Sequence, residues 1–161
     1  MEQGRKTGSV YGSLVIEFIA AACAVLFFYA ATSKLLDYEL SRRQMLNQVF
    51  PVVVAKILVW AVPVAELIIA GLLLYKPTRL KGFYAFTGLM LAFTLYIAVA
   101  MSGVFGRTPC SCGGILRHMG YWIHLVFNLF FVGVAIVGIV LDTKRRRLFK
   151  HHVISTLGET S

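Results

Sequence analysis

The sequence predicts an all-α membrane protein, a four-transmembrane-helix bundle, and three observations carry that prediction. Hydrophobic residues make up 58% of the 161 positions and charged residues only 14%, a balance too apolar for an ordinary soluble domain. The mean hydropathy is +0.77. Four apolar stretches, about 14–36, 52–75, 83–104 and 120–141, each reach the ~20 residues that a helix needs to cross a hydrocarbon core of ~30 Å. Together they use most of the chain, so residues 14–141 read as one transmembrane domain between an N-terminal tail, 1–13, and a basic tail, 142–161.

The first stretch reads as a retained span. It is too long for a signal-peptide core, and its far end carries Ser33, Lys34 and Asp37 in place of a small-x-small cleavage site. Glu17 falls near one membrane interface. Cys23, in "AACAVLFF", reads as a small hydrophobe. Lys34 lies near the other interface, where a long side chain can snorkel outward, as can Lys56 at the start of the second span.

The connection "DYELSRRQMLNQVFP" spaces Leu40, Leu46, Val49 and Phe50 in a near-helical pattern among Arg42, Arg43, Gln44 and Asn47. That pattern predicts a short amphipathic helix on the membrane surface between spans one and two, closed by Pro51. Pro63 removes a backbone donor from the second span and is expected to bend it just before Glu66. Glu66 sits on the order of 12 Å from the nearer membrane edge, deep enough to require a proton or a partner. It is expected to face the fourth span near Asn128. The tight turn "YKPTRLKG" makes spans two and three antiparallel neighbours.

Four spans place both termini on one side. That side carries ten basic residues: Arg5, Lys6, Lys76, Arg79, Lys81, Lys144, Arg145, Arg146, Arg147 and Lys150. The other side carries at most six, so the positive-inside rule makes both termini cytoplasmic. The +9 formal charge then reads as anchoring at an anionic leaflet, with membrane lipid and no nucleic acid as the partner. The same orientation puts the third connection, with "RTPCSCGGI", in the compartment where disulfides persist.

Cys110 and Cys112 can be read as a redox pair, as an inert turn or as part of a metal site. An i, i+2 bridge is strained and therefore easily reduced, and it closes too small a loop to serve well as a staple. Arg107, Arg117 and His118 favour the thiolate. A metal would need further ligands, from His118 or His124, at a spacing that matches no standard zinc pattern. His124 and Asn128, four apart on one face of the fourth span, lie just inside the same membrane surface. With Glu66 they would form a polar track from the cysteine loop into the bundle.

The order of "FYAATSKLLD", "VPVAELIIAGLLL" and "CSCGG" resembles that of the MauE/DoxX-like membrane proteins, over about residues 14–141. The shared elements fall on Lys34, Leu35 and Asp37, on Pro63 and Glu66, and on Cys110 and Cys112. The resemblance implies a four-helix, redox-associated protein of the bacterial inner membrane. Its expected role is thiol–disulfide exchange or maturation of disulfide-containing proteins outside the cytoplasm, beside a thioredoxin-like partner and with a quinone as a possible cofactor. Glycine stands where the MauE-type cysteine motif commonly continues with phenylalanine. On this reading Cys110 and Cys112 exchange electrons, His124 assists proton transfer, and Glu66, Asn128 and Lys34 line the cofactor site. A membrane scaffold without turnover and a small metal or solute carrier are the alternatives.

Overall fold

The computed structural model describes residues 2–46, 51–102 and 121–158. Its elements are α1 (Glu2–Leu36), α2 (Tyr38–Leu46), α3 (Val52–Leu74), α4 (Arg79–Met101) and α5 (Tyr121–Gly158), with no strand among the described residues. Four segments are long and apolar enough to span a membrane: Gly12–Leu36, Val52–Leu74, Arg79–Val99 and Trp122–Leu148. The four-helix membrane architecture predicted above is the one observed. Both predicted tails prove to be helical continuations, since α1 begins at Glu2 and α5 runs unbroken to Gly158.

The spans run up, down, up and down. At one end, called the near end here, Lys76 in the α3–α4 turn pairs with Glu17 of α1 at 3.0 Å. Arg146 of α5 donates to the backbone carbonyls of Lys76 and Pro77 in the same turn, at 3.1 and 3.3 Å. Arg145 reaches Ser13 of α1 at 3.3 Å. These ties place the start of the first span, the turn and the exit of the last span together. The far end carries the end of α1, all of α2 and the connection from α4 to α5. In the bundle α1 packs on α3 and α5, and α4 packs on the same two, so α3 and α5 lie across a diagonal.

The turn closes because its carbonyls find donors. The last turn of a helix leaves backbone C=O groups without partners. Here Thr78 donates its hydroxyl to Leu72 O and Arg79 donates Nε to Leu73 O. Arg79, expected in a solvated connection, is therefore buried as the first residue of α4. These bonds finish the end of α3, and α4 begins directly after Thr78, four residues before the hydrophobic run, with no side-chain cap of its own.

Between helices in lipid, close packing supplies what water-driven burial supplies in a soluble core. The near half and the middle are packed by Phe83, Phe86 and Phe27, with Phe27 and Phe86 centroids 4.3 Å apart. Two glycines set the spacing. A Cβ on Gly82 would lie 2.8 Å from Leu73 N, and one on Gly138 would lie 2.7 Å from the Phe83 ring. Outward-facing side chains such as Phe18, Val25, Ile68, Leu95 and Phe130 form the lipid-facing surface.

The predicted surface helix is α2. Glu39 in its first turn and Arg43 in its last complement the helix dipole, and none of its residues is buried. It leans on α3 through the Tyr38 and Trp60 rings, 5.2 Å apart. Its expected continuation through Asn47, Val49 and Phe50 lies outside the described residues. Pro51 stands at the start of α3, and α3 continues through Pro63 as one helix.

Candidate functional site

Buried polar groups divide between two places. Arg79 and Asp142 belong to the near-end lock, Thr94, His124 and Asn128 lie in the far half of the bundle, and Glu66 stands at mid-span with its carboxylate turned toward the far side to meet Lys34. Each sits on the inward stripe of its helix. On α5 that stripe runs His124, Asn128, Val132, Ala135 and Gly138, at steps of three and four residues. On α3 it runs Ala55, Val59, Val62, Glu66, Ile69 and Leu73.

The centre of the far half is an ion pair. Lys34 Nζ donates to Glu66 Oε1 at 2.8 Å and to Oε2 at 3.1 Å, with a third bond to Ala30 O at 3.3 Å. The lysine side chain is 17% exposed and the glutamate 2%. Helix direction explains how the two meet. Side chains lean toward the N-terminus of their own helix. Because α1 and α3 are antiparallel, Lys34 leans inward from the far end and Glu66 leans outward from mid-span, toward each other. Contact with Ala30 puts the ammonium roughly one turn inside its own Cα, ~9 Å from the end of α1.

Two expectations change here. Lys34 does not snorkel: its ammonium turns into the bundle, because a carboxylate partner lies within reach and the three N–H groups find three acceptors. Glu66 is hydrogen-bonded as expected, but to Lys34 of the first span rather than toward Asn128. The α3 and α5 helices are diagonal, and α1 is the nearer neighbour. Lys56 is exposed, as its snorkelling position implied. Glu17, expected as a plain interfacial carboxylate, is held by Lys76.

His124 is buried at 7% exposure, and the charge of Lys34 reaches it. Counting inward from Tyr121, it lies ~5 Å and Asn128 ~10 Å below the start of α5. Asn128 is 4% exposed, and its Nδ2 has no hydrogen-bond partner among the described residues. On α4, Thr94 lies ~10 Å inside the end of that helix, its hydroxyl bonded to Met90 O at 2.7 Å. The Lys34 ammonium, Asn128 and Thr94 thus lie at a similar depth, with His124 about one turn nearer the far surface and Glu66 reaching up from mid-span. Thr94 was not singled out in the sequence; a lone threonine in an apolar stretch gives no signal, since its hydroxyl can satisfy itself on its own helix.

Cys110 and Cys112, with Arg107, Arg117 and His118, lie outside the described residues. The chain places them in the connection between α4 and α5, which joins the far end. Cys23 is a fully buried free thiol against the near-half core.

An arrangement of this kind can hold a proton-exchanging pair in low dielectric and present buried donors to a ligand. It is poor evidence of a stabilising device, because replacing a buried ion pair by packed apolar groups is often neutral or better.

Neither a curated protein nor a solved structure matches the chain. A family model described as methylamine utilisation protein MauE does match it, over residues 12–141. That span takes in three of the four membrane-crossing segments, most of the fourth and the whole polar cluster, so this multi-pass membrane protein belongs to the MauE family.

Proposed function

We propose that the protein takes part in thiol–disulfide exchange on the extracytoplasmic side of the bacterial inner membrane. It would serve the maturation of disulfide-containing proteins there, within a methylamine-utilisation or related redox pathway. The observation that carries the reading is the buried Lys34–Glu66 pair with His124 beside it, at the end of the bundle to which the cysteine connection is joined. Intramembrane ionisable residues are expensive and mark sites of function by default. The charge bias of the sequence supports the near end as the cytoplasmic one.

Cys110 and Cys112 are the exchanging pair in this reading, with a thioredoxin-like or disulfide-containing protein as partner. One thiolate attacks a partner disulfide sulfur, forming a mixed disulfide and releasing the partner's other sulfur as thiolate. The second thiolate then closes the Cys110–Cys112 bridge and frees the reduced partner; the reverse sequence oxidises it. His124 would exchange the protons of those thiols. A membrane quinone is the proposed electron acceptor or donor. Asn128 is the residue proposed to donate to a quinone carbonyl, with the paired Lys34 and Glu66 lining the site. When bound, it supplies a two-electron, two-proton couple.

The test is alkylation and mass spectrometry of the purified protein before and after mild reductant. Two thiols should be gained, both on the peptide containing 107–115, while Cys23 stays unlabelled until the protein is denatured. Cys110→Ser and Cys112→Ser should each abolish maturation of the partner. Full maturation in both variants would leave the scaffold role in place of exchange.

A further inference from the structure

The two halves of the bundle core are built differently. The three fully buried phenylalanines of the described residues, Phe27, Phe83 and Phe86, pack from the near half to the middle of the bundle. Beyond them, the buried apolar side chains among the described residues of the far half are aliphatic, including Ala31, Val59, Val62 and Ile97, around the polar cluster. Hydrogen bonding within that cluster is unevenly met. The Lys34 ammonium has three donors and three acceptors, so it has none to spare. Both Glu66 oxygens are taken by Lys34. Thr94 is satisfied on its own helix. Asn128 Nδ2 is different: it is buried, faces the bundle interior with the rest of its stripe, and has no partner among the described residues. In an apolar interior an unmet amide donor is costly, and such a group calls for an acceptor.

We propose that the far half of the bundle binds a neutral, carbonyl-bearing lipophilic molecule whose carbonyl oxygen accepts a hydrogen bond from Asn128 Nδ2. Neutrality follows from the charges: Glu66 already balances Lys34, so an anion would enter with no counter-charge. A lipophilic body follows from the aliphatic walls and from a surface that faces lipid on every side. Two molecules in a membrane offer this chemistry, the head of a quinone and the ester carbonyl of a phospholipid. The proposal rests on the site of the proposed function and names how that site recognises its ligand; it concerns binding alone and stands whether or not Cys110 and Cys112 exchange electrons.

The experiment is thermal unfolding and equilibrium binding of the full chain in micelles, with three probes. These are a benzoquinone carrying a decyl tail, a phosphatidylcholine, and decane as a tail without a carbonyl. The Cys110→Ser/Cys112→Ser protein is run alongside, so that loss of electron exchange is not mistaken for loss of binding. Either carbonyl probe should raise the melting temperature of wild type and of the double-serine protein alike, and decane should not. Which of the two does so identifies the source. Asn128→Leu should melt higher than wild type without a probe, since it removes an unmet donor. It should also bind the successful probe at least about tenfold more weakly, the value of one hydrogen bond. Three results would each overturn the proposal: no shift with either carbonyl probe, equal binding by Asn128→Leu, or protection by decane to the same degree. A lower melting point for Asn128→Leu without a probe would also overturn it, because the amide would then be a satisfied packing group.

Discussion

Removing Lys34 tests whether the ion pair is a coupled unit or a coincidence of two side chains. Lys34→Met keeps the stem and deletes the ammonium, which withdraws both donors to Glu66, at 2.8 and 3.1 Å. A carboxylate 2% exposed would then stand unpaired, and breaking a buried pair from one side costs about 3–5 kcal/mol. Protonation caps that cost. Holding an ordinary carboxyl neutral at pH 7 costs about 3.7 kcal/mol, from some 2.7 pH units at 1.36 kcal/mol each. The expected loss is therefore about 3–4 kcal/mol. Glu66→Gln should cost less, about 1–2 kcal/mol. Its amide oxygen still accepts from Lys34, and a lysine two residues from the end of α1 can turn outward. The double variant Lys34→Met/Glu66→Leu should return to within about 1 kcal/mol of wild type, because no charge remains buried.

The sign of the pH effect follows from proton counts. At pH 7 the folded Lys34→Met protein would hold a proton that the unfolded chain has released, so its stability falls as pH rises. At pH 5 the defect should shrink to about 1 kcal/mol, since the cap shortens with the distance from the carboxyl's reference value. Equilibrium unfolding in mixed micelles by SDS titration measures all four proteins at both pH values. A Lys34→Met protein within about 1 kcal/mol of wild type at pH 7 would refute the coupling. So would a double variant less stable than either single one.

Two further outcomes follow from the near half. Gly138→Ala should destabilise by about 1–3 kcal/mol in the same assay, because its Cβ would lie 2.7 Å from a fully buried Phe83 ring that has no free direction to move; Gly133→Ala, with nothing within 4 Å, should be neutral. Arg146→Ala removes the bonds to Asp142, Lys76 O and Pro77 O, so amide exchange around residues 75–78 should speed up while the middle of α4 stays protected. Unchanged exchange in the turn would mean that Thr78 and Arg79 close it alone.

What could be read from the sequence and what could not divide along a physical line. The four spans were legible because the bilayer requirement acts on one helix at a time: each stretch is long and apolar enough by itself. The α2 helix was legible for a similar reason, since its amphipathic period and its Glu39 and Arg43 are local. The places of His124 and Asn128 along the fourth span, and of Glu66 deep in the second, follow from residue counting alone. Partners were not. Whether Lys34 snorkels or turns inward depends on which helix stands beside α1, and only the packing order put α3 there and α5 across from Glu66. Arg79 went the same way: in the sequence it is one of three cations in a turn, but the chain reversal aims it at the open carbonyl of Leu73. Hydropathy decides that a segment enters the membrane, whereas rotation of each helix about its axis decides what its polar residues meet. That rotation was decided by contacts between helices, such as Gly138 against Phe83, which no single segment contains.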